Sequence, residues 1–221
     1  MKSLSIIMLL FLSGLNLAHG KTVQICLNPV FGQTALKSGE TYFHHQSGDS
    51  LKIDEFTFYI SSINFRFNDS IVFSPVNSFH LISIRDSASL TITCTIPDQL
   101  HWNNLTFHLG IDSTMSTSGA LGGVLDQANG MYWAWQSGYI NFKLEGMSAR
   151  CPARNHRFQY HLGGYLVPNN ALQEVSLDVP ETNCIRLAVD AERFFDAVNI
   201  AEVYTIMSPG KKAVELSAVT V

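Results

Sequence analysis

Apolar residues recur at every second position along much of this chain. Val23, Ile25 and Leu27 share one phase, and Leu90, Ile92, Cys94 and Ile96 another, the latter alternating with threonines. The same period returns at Leu105, Phe107 and Leu109, at Ile140, Phe142 and Leu144, and at Phe158, Tyr160 and Leu162. It closes with Val175, Leu177 and Val179, then Ile185, Leu187 and Val189. Side chains of an extended segment alternate between faces, so period two marks half-buried strands. Phe56, Phe58 and Ile60 hold a phase that Ile63, Phe65 and Phe67 do not share. One extra residue near Ser61 and Ser62 would reset it, which predicts a β-bulge there. Turn residues fill the intervals, as in Ser47-Gly48-Asp49, Asn68-Asp69-Ser70 and Pro168-Asn169-Asn170. Helix signals are few. Asp190 offers a cap for a short turn through Phe195, and Ser208-Pro209 opens a helix running to about Ala218. The pattern predicts an all-β fold, a two-sheet β-sandwich with one or two short helices near the C-terminus. With no internal repeat or linker, residues 21–221 read as one domain.

The first twenty residues break this pattern. Lys2 precedes an apolar run from Leu4 to Leu17, and Ala18-His19-Gly20 ends it with small residues. That is the build of a secretory signal peptide with cleavage after Gly20, too short and wrongly flanked for a membrane span. No later apolar run is long enough to cross a bilayer. The expectation is an exported protein, periplasmic or secreted. Lys and Arg total 14 against 18 Asp and Glu, with no basic cluster, which argues against nucleic acid as a partner. Export changes how the cysteines read. Cys26, Cys94, Cys151 and Cys184 are an even set, expected to form two disulfides in an oxidising compartment, with three pairings open. Cys94, on the apolar face of its strand, has the alternative of a buried free thiol.

Candidate chemistry gathers between Gly110 and Gly146. Trp133 and Trp135 stand one residue apart, after a polar loop and before a strand. An indole is a large apolar body and an oxidisable one, so the pair suits a core anchor or a metal-proximal redox site. His44 and His45 are adjacent and would point to opposite faces. His80, His108 and His161 each lie opposite the apolar set of their strand. Singly, each reads as a polar residue on a solvated sheet face; as a set, they allow imidazole ligation of copper or zinc. Asp112, Ser113, Ser116, Thr117, Asp126 and Asn129 are oxygen donors of the kind Ca²⁺ takes, but they lack EF-hand spacing and equally suit turn capping. No G-x-S-x-G, H-E-x-x-H or phosphate loop is present, and nothing places Glu145 and Asp126 together as a catalytic pair, so an enzyme is not expected.

Several motifs occur in a recognisable order. They are FTFYISSINF at Phe56–Phe65, GIDS at Gly110–Ser113, SGA at Ser118–Ala120, LDQANGMYWAWQSGY at Leu125–Tyr139, KLEG at Lys143–Gly146 and FQYHLGG at Phe158–Gly164. In that order they resemble the MbnP-like copper-binding domain family. Gln127 departs from the family's usual Pro, and Ser62 from its Asn. The resemblance implies an exported copper-binding protein that is not an enzyme. It implies copper held by histidines and by kynurenine, formed when an indole ring is oxidatively opened by a dihaem peroxidase-like partner. The histidine motif carries over to His161, and the tryptophan motif to Trp133 or Trp135. Trp102, beside His101, is a third tryptophan candidate. His44 or His45 is the expected second ligand, since their turn precedes the matched Phe56 strand. The alternative is a non-metal, or calcium-dependent, envelope module that recognises a glycan or protein through exposed tryptophan and the polar loop. Buried indoles beside converging histidines favour metal; exposed indoles on a flat face favour recognition.

Overall fold

The computed structural model describes residues 20–119, 121–135 and 138–220. The predicted signal peptide lies outside them except for Gly20, which opens the first strand. The strands run, in order, β1 (Gly20–Phe31), β2 (Thr34–Ala35), β3 (Glu40–His44), β4 (Asp49–Phe67), β5 (Ser70–Phe73), β6 (Phe79–Ser83) and β7 (Thr91–Pro97). There follow β8 (Asn104–Leu109), β9 (Tyr132–Trp133), β10 (Gly138–Ser148), β11 (Arg157–Gly163), β12 (Gln173–Asp178), β13 (Cys184–Asp190) and β14 (Thr205–Ile206). Among the described residues three short α-helices interrupt them: α1 (Ser113–Thr117), α2 (Glu192–Asp196) and α3 (Lys211–Ser217).

The small sheet is centred on β1. β13 lies parallel along one edge, and β7 and β2 lie antiparallel along the other. The large sheet is built on the long strand β4. Ile53 is opposite both Gly146 of β10 and Glu40 of β3, and Ile60 is opposite both Leu109 of β8 and His80 of β6. Thus β3, β6 and β5 follow one another along one edge of β4, while β10 and β8 meet end to end along the other. β11 and β14 extend the sheet beyond β10, and β12 extends it beyond β8.

The predicted alternation fills the space between the sheets. Val23, Ile25, Leu27, Ile92, Cys94 and Ile96 from the small sheet pack with Phe56, Phe58, Ile60, Leu144, Phe158 and Tyr160 from the large one. Phe194 of α2 closes one end, stacked on Phe142 at 5.4 Å and edge-on to Tyr160 at 4.9 Å. The architecture is the all-β sandwich expected. The bulge is where the phase change put it: register shifts between Ser61 and Asn64, and Ser62 has φ 53°.

Three expectations need correction. α3 begins at Lys211 behind Gly210, not at Ser208-Pro209. Asp190 does accept the Glu192 N–H at 3.0 Å, but Ala191 is the capping position of α2. The expected pair of disulfides is not formed; all four cysteines are free thiols. Cys94 faces the core, Cys151 donates its S–H to the Arg157 carbonyl at 3.0 Å, and the Cys26 and Cys184 sulfurs are in contact at 3.8 Å without a bond.

Candidate functional site

The chain leaves β8 at Leu109 and re-enters the sheet at Gly138 of β10, both beside the middle of β4. The intervening segment folds back over the outer face of the large sheet, the one turned away from the small sheet. Asn141 anchors its start, its Oδ1 accepting the Ile111 N–H at 3.1 Å. A second apolar cluster forms beneath it from Tyr59, Ile111, Leu125, Met131, Trp133, Tyr139 and Ile140. Phe79 and Leu81 of β6 pack against this cluster, so His80 between them points to the inner side. The outer face is thus covered where the sequence reads as solvated.

His161 lies on this covered face and is 6% exposed. It stands opposite Lys143, which stands opposite Thr57. Its Nε2 is 2.6 Å from Glu145 Oε1, on the same face of β10 two residues further on. Arg157 Nη2 donates to the other Glu145 oxygen at 3.3 Å. Lys143 reaches Glu55 at 3.3 Å and donates to the Gly130 carbonyl at 3.3 Å, tying the covering segment down. The His161 hydrogen bond, opposed by burial and helped by the Lys143 charge, holds the Glu145 carboxyl down at about 2. An ionised carboxylate only accepts, so His161 Nε2 carries the proton. In the neutral ring Nδ1 then has a free lone pair, and Nδ1 is buried with no hydrogen-bond partner. A buried nitrogen left bare is costly and calls for a reason. A carboxylate fixing one imidazole nitrogen while the other stays open is how proteins orient a metal-ligating histidine.

Trp133 packs against the same strand, at Gly163. Gly163 follows His161 by two residues, the same-face spacing of roughly 7 Å. A Cβ on Gly163 would stand 2.9 Å from Trp133 Cζ3 and 2.5 Å from the Tyr139 carbonyl oxygen. Glycine at 163 is what lets the indole approach β11 this closely. Trp133 is buried, whereas Trp135, with its ring centre 6.1 Å away, is 67% exposed. Trp102 is buried far along the other end of β4, against Phe65 at 5.3 Å with Lys21 over its ring at 4.6 Å.

The expected second histidine does not converge. His44 stands opposite Asp49, eight residues before Thr57, or roughly 26 Å along the strand. It also faces inward, edge-on to Phe31 at 6.4 Å. Both its nitrogens are engaged, Nδ1 with Ser47 Oγ at 2.7 Å and Nε2 with Asp196 Oδ1 at 3.0 Å. His45 points to solvent and lies 3.9 Å from Glu192. Among the described residues no three His, Cys, Asp or Glu side chains gather as a metal cage. The loop oxygens are capping groups: Asp112 Oδ1 accepts from Met115 N–H and Asp126 Oδ1 from Ala128 N–H, both at 2.8 Å. Glu145 is the site residue that sequence reasoning failed to pair with His161. Its place in KLEG, on the polar phase of a strand beside YHLGG, was the available signal.

A family model described as MbnP matches residues 20–208. Among solved structures, the chain resembles MbnP from Methylosinus trichosporium with a TM-score of 0.66, at 13% identity, over 86% of this chain and 82% of that one. At that identity the likeness shows a shared fold. No curated protein sequence matches the chain. Among the described residues no helix is long and apolar enough to cross a membrane.

Proposed function

The chain belongs to the MbnP family, and from that membership and the outer-face geometry we propose that it is an exported copper-binding protein, which binds or hands on copper and turns over no substrate. The observation that carries the reading is the buried, unpartnered His161 Nδ1 on a strand against which Trp133 also packs, at Gly163 two residues on. His161 would supply one imidazole, a donor suited to copper. Glu145 holds the ring's tautomer and orientation, and the covering segment excludes water. Of the two motif tryptophans, Trp133 is the buried one, packed at Gly163 on the strand of His161, so it is the candidate for conversion to kynurenine by a dihaem peroxidase-like partner. Kynurenine brings an aryl amine and a ketone, donors that the unmodified indole lacks. His44 and His45 drop out as ligands because they lie on other surfaces.

The test is to purify the mature protein from its native host, then measure bound metal and the mass of the peptide carrying Trp133. Copper near one equivalent with a ring-opened Trp133 is expected, and His161→Ala should lower copper affinity by at least ~10-fold. Unchanged copper affinity in that variant would sink the assignment. One observation favours a second role. Trp135, Leu166 and Val167 are exposed large apolar residues, which suits recognition of a protein partner.

A further inference from the structure

We propose that Cys26 and Cys184 form a separate soft-metal site, a dithiolate seat for Cu(I) on the solvent face of the small sheet. It is independent of His161, which lies on the other sheet. The two sulfurs are 3.8 Å apart, across the neighbouring parallel strands β1 and β13. Cys26 is opposite Arg186 and Cys184 is opposite Gln24, so the thiols meet on a diagonal. Their chain neighbours Ile25, Leu27 and Ile185 are buried in the core, which turns both thiols outward to a half-buried position.

The separation suits one bridging ion. Metal–sulfur bonds of ~2.3 Å from these two sulfurs would meet at an angle of about 110°, that of an ion which takes a further donor from outside the protein, since an ion held by two sulfurs alone lies nearly in line between them. Thiolates are soft donors and select Cu(I), whereas hard cations take oxygen. Among the described residues no third His, Cys, Asp or Glu completes a cage. That is a poor offer for zinc, which asks for four ligands in structural sites. It suits an ion content with few ligands, and it leaves a position through which the ion can be passed on. Binding is a proton exchange: each thiol releases its proton, the sulfur pairs close on Cu(I), and the seat keeps one negative charge. Arg186 on the same face offsets that charge, and the Thr91 side chain, opposite Cys26 in β7, also favours its thiolate. Burial and the neighbouring Cys184 push the Cys26 thiol up, so the metal rather than ambient pH removes the protons. The other cysteines have different settings. The core position of Cys94 pushes its thiol up to about 11, and the Cys151 S–H is given to a carbonyl.

The experiment is an anaerobic Cu(I) titration of the full chain, reduced with a phosphine, against a chromophoric Cu(I) chelator, with X-ray absorption reading the ligand atoms. The His161→Ala variant is titrated too, so that loss of the outer-face site leaves this one visible. One equivalent with sulfur ligation in both proteins is expected. Cys26→Ser and Cys184→Ser should each abolish the sulfur signal and weaken that equivalent at least ~10-fold, while Cys94→Ser keeps it. Circular dichroism of the serine variants confirms their fold. Sulfur ligation that survives both substitutions overturns the proposal, as does a reduced chain that takes up no sulfur-bound Cu(I), and as does a chain isolated from its host with its Cys26 and Cys184 sulfurs bonded together.

Discussion

The large sheet shows two faces made by the same strands. The inner face carries Phe56, Phe58, Ile60, Leu144, Phe158 and Tyr160 against the small sheet, and its burial is apolar and continuous. The outer face carries Thr57, Lys143, Glu145 and His161 beside a smaller apolar cluster, under a segment that crosses back over it. Both faces exclude water; the inner one buries charge only at its margin, at Asp49 and His44, whereas the outer one carries Lys143, Glu145 and the unpartnered imidazole nitrogen of His161. Apolar burial holds the fold together, at roughly 25 cal/mol per Å². Burying His161 and Glu145 adds little of that and costs desolvation unless every group is matched. The lesson is that stability and chemistry are divided between the two sides of one sheet, and substitutions should divide the same way.

The inner face gives the largest expected effect. Phe56 is 1% exposed and touches Phe58 and Phe142 at 5.4 Å between ring centres. Phe56→Ala should cost ~3–5 kcal/mol through lost burial and the cavity left behind. Urea unfolding measures it, and His161-dependent copper binding by the fraction still folded should be unchanged. A cost under ~1 kcal/mol would mean the two faces are not divided as described.

Next in size is Glu145→Gln, which removes a charge-assisted hydrogen bond worth ~1.5–3 kcal/mol. The wild-type carboxyl is held down at about 2 from an ordinary 4.5. A group with its folded value depressed contributes stability that is fully present above its unfolded value and is lost as pH falls through the folded one. The wild type should therefore lose stability between about pH 4.5 and 2 more steeply than the variant. Parallel pH profiles from urea midpoints would show that His161 and Glu145 are not coupled.

These two substitutions also mark what could be read from the sequence. The inner face was legible because a period of two is itself the physics of a half-buried strand; even the bulge at Ser62 followed from a phase slip. The outer face was not, since the polar phase of a strand reads as solvated until something is known to cover it. Only tertiary placement shows that residues 111–119 and 121–133 do so, that His44 and His161 lie on opposite faces, and that Trp133 rather than Trp135 is the buried indole. Likewise the alternation that put Cys26 and Cys184 on outward faces was visible, while their contact depends on the β1–β13 register.

Gly163→Ala sharpens the outer-face side of the comparison. The added methyl would meet the Tyr139 carbonyl oxygen at 2.5 Å and the Trp133 ring at 2.9 Å. Backbone cannot yield easily, so overpacking should cost ~1–3 kcal/mol. The indole would be displaced from β11, with blue-shifted or red-shifted Trp fluorescence as the readout and weaker copper binding as the consequence. Intact fluorescence and full copper affinity would show that the close approach of Trp133 to β11 is not part of the site.

The smallest effect is expected at Trp135, and it is the most discriminating. This indole sits one turn residue from Trp133, in the same motif, yet two thirds of it meets solvent at 67% exposure. Its removal should change stability by under ~0.5 kcal/mol, the range for surface positions away from caps and buried networks. Trp133→Ala, by contrast, empties space in the outer cluster and should cost ~3–5 kcal/mol. If Trp135→Ala leaves stability and copper affinity of the mature protein intact but prevents Trp133 from being modified during expression in the native host, the exposed ring serves the encounter with the oxidising partner. If it costs as much as Trp133→Ala, the two indoles form one structural unit, and the assignment of separate roles to buried and exposed tryptophan fails.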